Sequence, residues 1–323
     1  MGATRRAVNW KWKARVQRTI AMMPLSDQIY YAMQRTVGSL KPGRSNPLEW
    51  FDAALSMVAW LKGAGARVEG RRFLEVGTGH YPNVPVGLWL CGAGEVVTVD
   101  LNTYLTDALC SQTVEFVRGN REAVAKAFGV EAEAPLFQER LGQLAGLRGG
   151  AGVRELLELA HIKYLAPADA AKLDFPDGSF DFHVSHAVFE HIPADTIAAI
   201  LAEARRLLKP EGLLMHIIDP SDHFSHDDPS ITAVNFLQFS DREWRRWAGN
   251  KFMYHNRLRA SEYGELFGRA GVHILRQSEA VDEPSLRALR NGFRLDEKFR
   301  QIGPEELAVS GLMLVGRFER SAR

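Results

Sequence analysis

Phe73-Leu74-Glu75-Val76-Gly77-Thr78-Gly79-His80 is an apolar run interrupted by one acid and followed by two glycines with a single residue between them. The run has the length of a buried strand, and the glycines mark a tight turn where backbone can approach a ligand closely. About 20 residues further on, Val96-Val97-Thr98-Val99 ends in Asp100, a carboxylate placed to grip both hydroxyls of a ribose. Together the two segments favour an adenosine-containing ligand. A nicotinamide dinucleotide would want a third glycine three positions beyond Gly79, so that a helix amino end could take the pyrophosphate; Pro82 stands there instead.

Outward from this turn, short apolar runs at residues 73–76, 95–99, 180–185, 212–218, 272–279 and 312–318 alternate with helical stretches. That alternation predicts an α/β fold with a Rossmann-like, doubly wound parallel sheet. Residues 103–165 read as a helical insertion, longer than a single crossover helix requires. Residues 1–65 read as a helical extension or lid: Ser26-Asp27 caps one helix, and Asn46-Pro47 opens another through Trp50, Leu55 and Leu61. Residues 66–323 would then form the main domain. A polar, histidine-rich stretch follows the fourth well-marked strand, from Asp219 to about Ser240, in the position where loops of parallel sheets carry function.

The 323 residues are 46% hydrophobic and 24% charged, which excludes a mainly disordered chain. Forty Lys and Arg against 39 Asp and Glu give a net charge of +1, so no field of the whole molecule captures a polyanion, and no nucleic-acid partner is expected. A local basic arm, with Arg5, Arg6, Lys11, Lys13, Arg15 and Arg18 ahead of the first acid Asp27, is the one exception. Cys91 and Cys110 are too few for a disulfide framework and point to a reducing, cytoplasmic setting. No apolar run approaches the length of a membrane span, so no integral membrane contact is expected.

A ligand without phosphates, carrying an amino-acid tail beside its ribose, fits Glu75 and the tight turn, and S-adenosylmethionine has that shape. The segments Leu74–Gly79 and Val97–Asp100, the stretch Asp169-Ala170-Ala171-Lys172-Leu173-Asp174-Phe175 and the stretch His186-Ala187-Val188-Phe189-Glu190-His191 resemble, in this order, the class I S-adenosylmethionine-dependent methyltransferases of the small-molecule and glycan type. The resemblance runs from about residue 72 to 318. It implies a mostly parallel sheet with an antiparallel last strand and S-adenosyl-L-methionine as cofactor. It implies Glu75, Gly77, Thr78 and Gly79 around the methionine moiety, Asp100 on the ribose, Leu101 packed on the adenine, and Asp169 with the Ala170 amide at the adenine edge. Ser185, at the end of a predicted strand, joins the cofactor set, and Tyr30 and Tyr31 of the added helices would face the sulfonium. Two departures stand out: the spacing from Asp100 to Asp169 is long for the family, and His80-Tyr81-Pro82 replaces a glycine-rich turn.

Methyl transfer to a hydroxyl calls for a base. His186 follows a predicted strand beside the cofactor, and His223 and His226 lie in the histidine-rich loop; these three are the catalytic candidates. Glu190 and His191 read as structural. The histidines and carboxylates of residues 216–228 have donor types that suit a divalent metal, but the reading assigns no metal and takes the loop as acceptor-lining. Tyr254, His255, Asn256 and Arg257 mix flat rings with amide and guanidinium donors and are the candidate substrate-binding set. The expected function is methyl transfer, at oxygen, to a small polar metabolite or glycan, with a homodimer left open. The alternatives are another chemistry on the same cofactor, such as intramolecular alkylation releasing methylthioadenosine, or a non-catalytic binding module.

Overall fold

The computed structural model describes residues 8–44 and 46–319; Arg5 and Arg6 of the basic arm lie outside them. Seven strands form one sheet: β1 (Arg72–Val76), β2 (Glu95–Val99), β3 (Ile162–Leu165), β4 (Phe180–His186), β5 (Leu208–Ile218), β6 (Val272–Val281) and β7 (Val309–Phe318). Their order is β3-β2-β1-β4-β5-β7-β6. Strands β1 to β5 pair in parallel, whereas β7 runs antiparallel to both β5 and β6. This is the doubly wound arrangement expected, and its strand order reverses between β1 and β4.

Period-two alternation sends successive side chains to opposite faces. Phe73, Val96, Phe182 and Leu213 meet one helical layer, and Leu74, Val97 and Leu214 the other, where a bulge in β4 also puts Phe180. The second layer comes from the helices Ala194–Leu207 and Ala260–Arg269, through Ile200, Leu201, Tyr263 and Phe267.

The first layer corrects two expectations. Helix α3 (Pro47–Gly63), opened by Asn46 with Pro47 in its first turn, buries Phe51, Ala54, Met57, Val58 and Leu61 against the sheet. It is apolar nearly all round, as a core helix is, so the division at residue 65 separates a core helix from its own core. The insertion likewise is part of the core, supplying Cys110, Val114, Phe128, Phe137 and Leu141 to this layer. Its last residues are sheet: the unpredicted strand β3 pairs Val96↔Ile162 through Val99↔Leu165.

A third apolar cluster joins the chain's start to the loops after β5. Helix α1 (Trp10–Ala21) is capped by the Asn9 side chain, which accepts from the Lys11 and Trp12 amides. It packs Trp10 and Ala14 on Phe224, Phe236, Leu237 and Trp244. Lys13 pairs with Asp227 at 2.7 Å and Arg18 donates to the Arg246 carbonyl, so this part of the basic arm is folded back on the protein. Trp244 lies tilted against Trp10 and Trp247 edge-on to it, with ring centroids 6.4 and 5.1 Å apart, which accounts for them as packing aromatics. Helix α2 (Ser26–Thr36) crosses toward β1, placing Tyr31 Oη 3.5 Å from Thr106 Oγ1 and its ring 6.3 Å from that of His80. Tyr30 instead stacks on Phe252, with ring centroids 4.0 Å apart.

Candidate active site

The strand order reverses between β1 and β4, and in open α/β sheets the crevice at the carboxyl ends of the strands flanking such a reversal is where ligands bind. One wall is the turn Gly77-Thr78-Gly79; the other begins at His186-Ala187-Val188. Both glycines adopt positive φ, +87° at Gly77 and +65° at Gly79, but for different reasons. A Cβ at Gly77 would lie 2.3 Å from Val188 Cγ2, while one at Gly79 would meet nothing within 4 Å. The first glycine lets the two walls close on each other; the second borders open space.

Asp100 joins this turn to the end of β2. One carboxylate oxygen accepts from the Gly79 amide at 2.9 Å and the other from the Asn102 amide at 2.9 Å. Each oxygen keeps acceptor capacity for a diol. Beyond it Leu101 is 66% exposed, free to be covered by a flat ring. Asp169 is exposed and its carboxylate accepts from the Ala171 amide, with Ala170 buried beside it. The Asp100 and Asp169 loops meet through the Ala168 amide, which donates to the Asp100 carbonyl at 2.9 Å. Thus the long chain separation between the two acids closes in space. Tyr164 Oη of β3 accepts from the Tyr104 amide and donates to the Asn102 carbonyl, pinning the same loop; Tyr104, whose ring lies 4.4 Å from that of His80, carries no signal in the sequence.

Three residues assigned to the cofactor point elsewhere. Glu75 is 2% exposed and lies beneath the turn, its carboxyl accepting from Thr98 Oγ1 at 2.5 Å. Thr78 Oγ1 is 2.6 Å from the same Thr98 hydroxyl, so its side chain closes an internal chain of hydroxyls. Ser185 is fully buried, with Oγ 2.7 Å from His216 Nδ1 on β5. Polar groups this deep take partners from within the fold, which is why they are absent from the crevice wall.

Burial, with a smaller push from Asp100, raises the Glu75 carboxyl from the ordinary 4.5 to about 8. Between those values the folded chain holds a proton that the unfolded chain has lost, so the contribution to stability falls as pH rises. Denaturant midpoints are expected to decline from pH 5 to pH 8, with a slope of up to about 1.4 kcal/mol per pH unit, and to flatten in Glu75→Gln. Parallel profiles for the two proteins would show that Glu75 is ionised throughout.

On the opposite wall, His186 packs edge-on against Trp50 of α3, with ring centroids 5.5 Å apart, and its Nδ1 is buried without a hydrogen-bond partner. Burial lowers its pKa, against a rise from Asp219 and Asp52, and leaves it neutral at pH 7. Asp219, following β5, has Oδ2 3.3 Å from His223 Nε2 and 3.5 Å from His226 Nε2. The His223 ring also lies 4.9 Å from that of His191 and 4.2 Å from that of His255. His191, structural by its sequence context, belongs to this histidine group in the fold.

The Tyr254–Arg257 set divides. Tyr254 is 36% exposed and His255 is buried, with both ring nitrogens unpartnered. Asn256 is spent: Nδ2 donates to the Phe189 and Ile192 carbonyls, and Oδ1 accepts from the Leu258 amide and Tyr263 hydroxyl. Arg257 is 3% exposed, donating to the Phe236 and Phe239 carbonyls and to Asp241. Both therefore hold loops in place: Asn256 has both ends of its amide engaged, and Arg257 is buried under the carbonyls it serves.

Residues 124–216 match the family model described as a methyltransferase domain; the segment spans β3, β4 and most of β5 and begins after Gly77, Gly79 and Asp100. An uncharacterized protein of Haemophilus influenzae is 34% identical over 92 residues, 28% of this chain and 35% of that one, so the match spans about a third of the relative's length. Among solved structures, a 1,6-didemethyltoxoflavin-N1-methyltransferase of Burkholderia thailandensis with bound S-adenosylhomocysteine covers 99% of this chain and 94% of its own, at 13% identity and a TM-score of 0.43. A methyltransferase of Methanosarcina mazei covers 79% of this chain and 95% of its own, at 16% identity and a TM-score of 0.42. One from Mesorhizobium loti covers 83% and 99%, at 16% and 0.41. The matched segment is similar to a methyltransferase domain, and the sheet that carries it is the mostly parallel, doubly wound sheet of a Rossmann-like α/β fold.

Proposed function

We propose that this chain transfers the methyl group of S-adenosylmethionine to a hydroxyl of a small polar metabolite or glycan. The observation that carries the reading is the open space beside Gly79 and Asp100 at the adjacent ends of β1 and β4. Gly79, bonded to Asp100, borders open space after β1, and His186, at the end of the neighbouring strand β4, keeps a buried Nδ1 without a partner.

In this reading Asp100 accepts from the ribose hydroxyls, Leu101 covers one face of the adenine, and Asp169 with the Ala170 amide meets its edge. Tyr31 closes over the turn from α2. His186 takes the acceptor's proton as the acceptor oxygen displaces the sulfonium, so that an O–CH3 bond forms, the S–CH3 bond breaks and S-adenosylhomocysteine leaves. His226 and Tyr254, both exposed, line the acceptor side. Both cysteines are free, in keeping with a reducing cytoplasmic setting, and among the described residues no helix is long and apolar enough to cross a membrane.

The test is product analysis by mass spectrometry after incubation with S-adenosylmethionine and panels of hydroxylated metabolites and sugars. Acceptor-dependent S-adenosylhomocysteine is expected. Release of methylthioadenosine would overturn methyl transfer in favour of alkylation by the cofactor's amino-acid tail.

A further inference from the structure

Three loops that are distant in sequence bring imidazoles together beside the crevice. His191 follows β4, His223 sits in the short helical turn His223–His226 after β5, and His255 precedes the helix Ala260–Arg269. One ring nitrogen from each lies within 4.8 Å of the others. A tetrahedral site with metal–nitrogen bonds of 2.0–2.1 Å needs nitrogens about 3.4 Å apart, a difference that modest side-chain rotations close.

Two further observations concern the donors themselves. His255 is 5% exposed, and neither of its ring nitrogens has a hydrogen-bond partner. A buried imidazole normally satisfies at least one nitrogen, and leaving both bare is costly. His191 Nδ1 is 2.9 Å from the Tyr254 carbonyl. A carbonyl only accepts, so Nδ1 carries the proton and Nε2 is left with its lone pair. Fixing a ligand's tautomer through a backbone carbonyl on its other nitrogen is the usual support of a metal-binding histidine. Here that carbonyl belongs to the residue adjacent to His255, which couples two of the donors.

We propose that His191, His223 and His255 form a binding site for a divalent transition-metal ion of the zinc class, with Asp219 beside His223 as its carboxylate partner. Neutral imidazoles suit zinc, nickel or cobalt better than magnesium or calcium, which prefer oxygen cages. Three protein nitrogens leave a further coordination position, as in catalytic rather than closed structural sites. The site adjoins the acceptor wall, since Asp219 is near enough to His186 to raise its pKa. A metal ion there would take an acceptor hydroxyl as a ligand and ease its deprotonation. That use rests on the methyl-transfer reading. Metal binding does not, because it is measured without cofactor or acceptor.

The second group of donors, Asp219, His223 and His226, shares His223 and has ligand atoms within the same 4.8 Å. It places the metal on the outer side, where His226 is exposed, and makes no use of the bare His255 nitrogens.

The experiment is titration of the chelator-stripped full-length protein with Zn2+ by calorimetry and with Co2+ by visible absorption. One equivalent is expected to bind, with the intense d–d bands of a low-symmetry, four-coordinate Co2+ that Zn2+ abolishes. His255→Phe, which keeps the buried volume, and His191→Ala at the rim are each expected to weaken Zn2+ binding at least 100-fold. Substituting the exposed His273 on β6 by alanine is expected to leave it unchanged. Absence of stoichiometric binding at micromolar metal would overturn the proposal. So would binding retained in both His255→Phe and His191→Ala but lost in His226→Ala, which would assign the metal to the outer group.

Discussion

His186→Ala is expected to reduce turnover by about 10²–10⁴-fold, the range for loss of a positioned general base, while leaving affinity for S-adenosylmethionine nearly unchanged. The side chain is placed for this by both neighbours. β4 brings it to the carboxyl end of the sheet, paired with Ile217, and Trp50 packs edge-on against its ring. Because burial lowers its pKa below the ordinary 6.5, the base is already deprotonated at neutral pH. Activity of the wild-type protein should therefore fall only as pH drops through that lowered value, and the acid limb should vanish in the variant. Stopped-assay rates across pH 5–8, with cofactor affinity measured in parallel, check both points. Equal losses of turnover and affinity would mean that His186 holds up the wall instead of moving a proton.

The second large effect separates the two glycines of the turn. Gly77→Ala places a methyl group 2.3 Å from Val188 Cγ2 and forces a side chain into φ +87°. Val188 is β-branched and packed against the core, so it yields little. Left-handed backbone costs roughly 1–2 kcal/mol and overpacking roughly 1–3 kcal/mol more, so a loss of about 2–5 kcal/mol is expected by denaturant unfolding. Gly79→Ala incurs only the backbone part, because its Cβ enters open space. That space is where the cofactor would lie, so this variant should lose cofactor affinity while keeping most of its stability. Equal destabilisation by both substitutions would show that the space beside Gly79 is not a ligand cradle.

What could be read in the sequence was what is local. The strand-turn-strand logic of Glu75, Gly77, Gly79 and Asp100 depends on residues close in the chain, and it placed β1, β2 and the turn between walls. β3 escaped because Ile162-Lys163-Tyr164-Leu165 is a four-residue edge strand with an exposed lysine, too short and too mixed to stand out beside four helices. The core role of α3 was legible from its apolar residues on every side, but position near the chain's start suggested an appendage. On the acceptor side, chemistry-bearing residue types misled in both directions. Asn256 and Arg257 looked like substrate donors and instead satisfy backbone carbonyls of the loops they join. His191 looked like a helix-end element, yet it meets His223 and His255 across three loops, a contact that only the tertiary fold creates.

The most direct test of the account is calorimetric titration with S-adenosylmethionine of the wild-type protein and of Asp100→Ala. The Asp100 carboxylate ties the Gly79 turn to its own loop and, in the proposed reading, accepts from the ribose diol. Charge-assisted bonds of this kind are the strong ones, and the loss expected is at least tenfold, about 1.4 kcal/mol. The account predicts micromolar binding by the wild type and at least tenfold weaker binding by the variant. No binding by the wild type, or equal binding by both, would contradict the placement of the cofactor between Gly79 and Asp100.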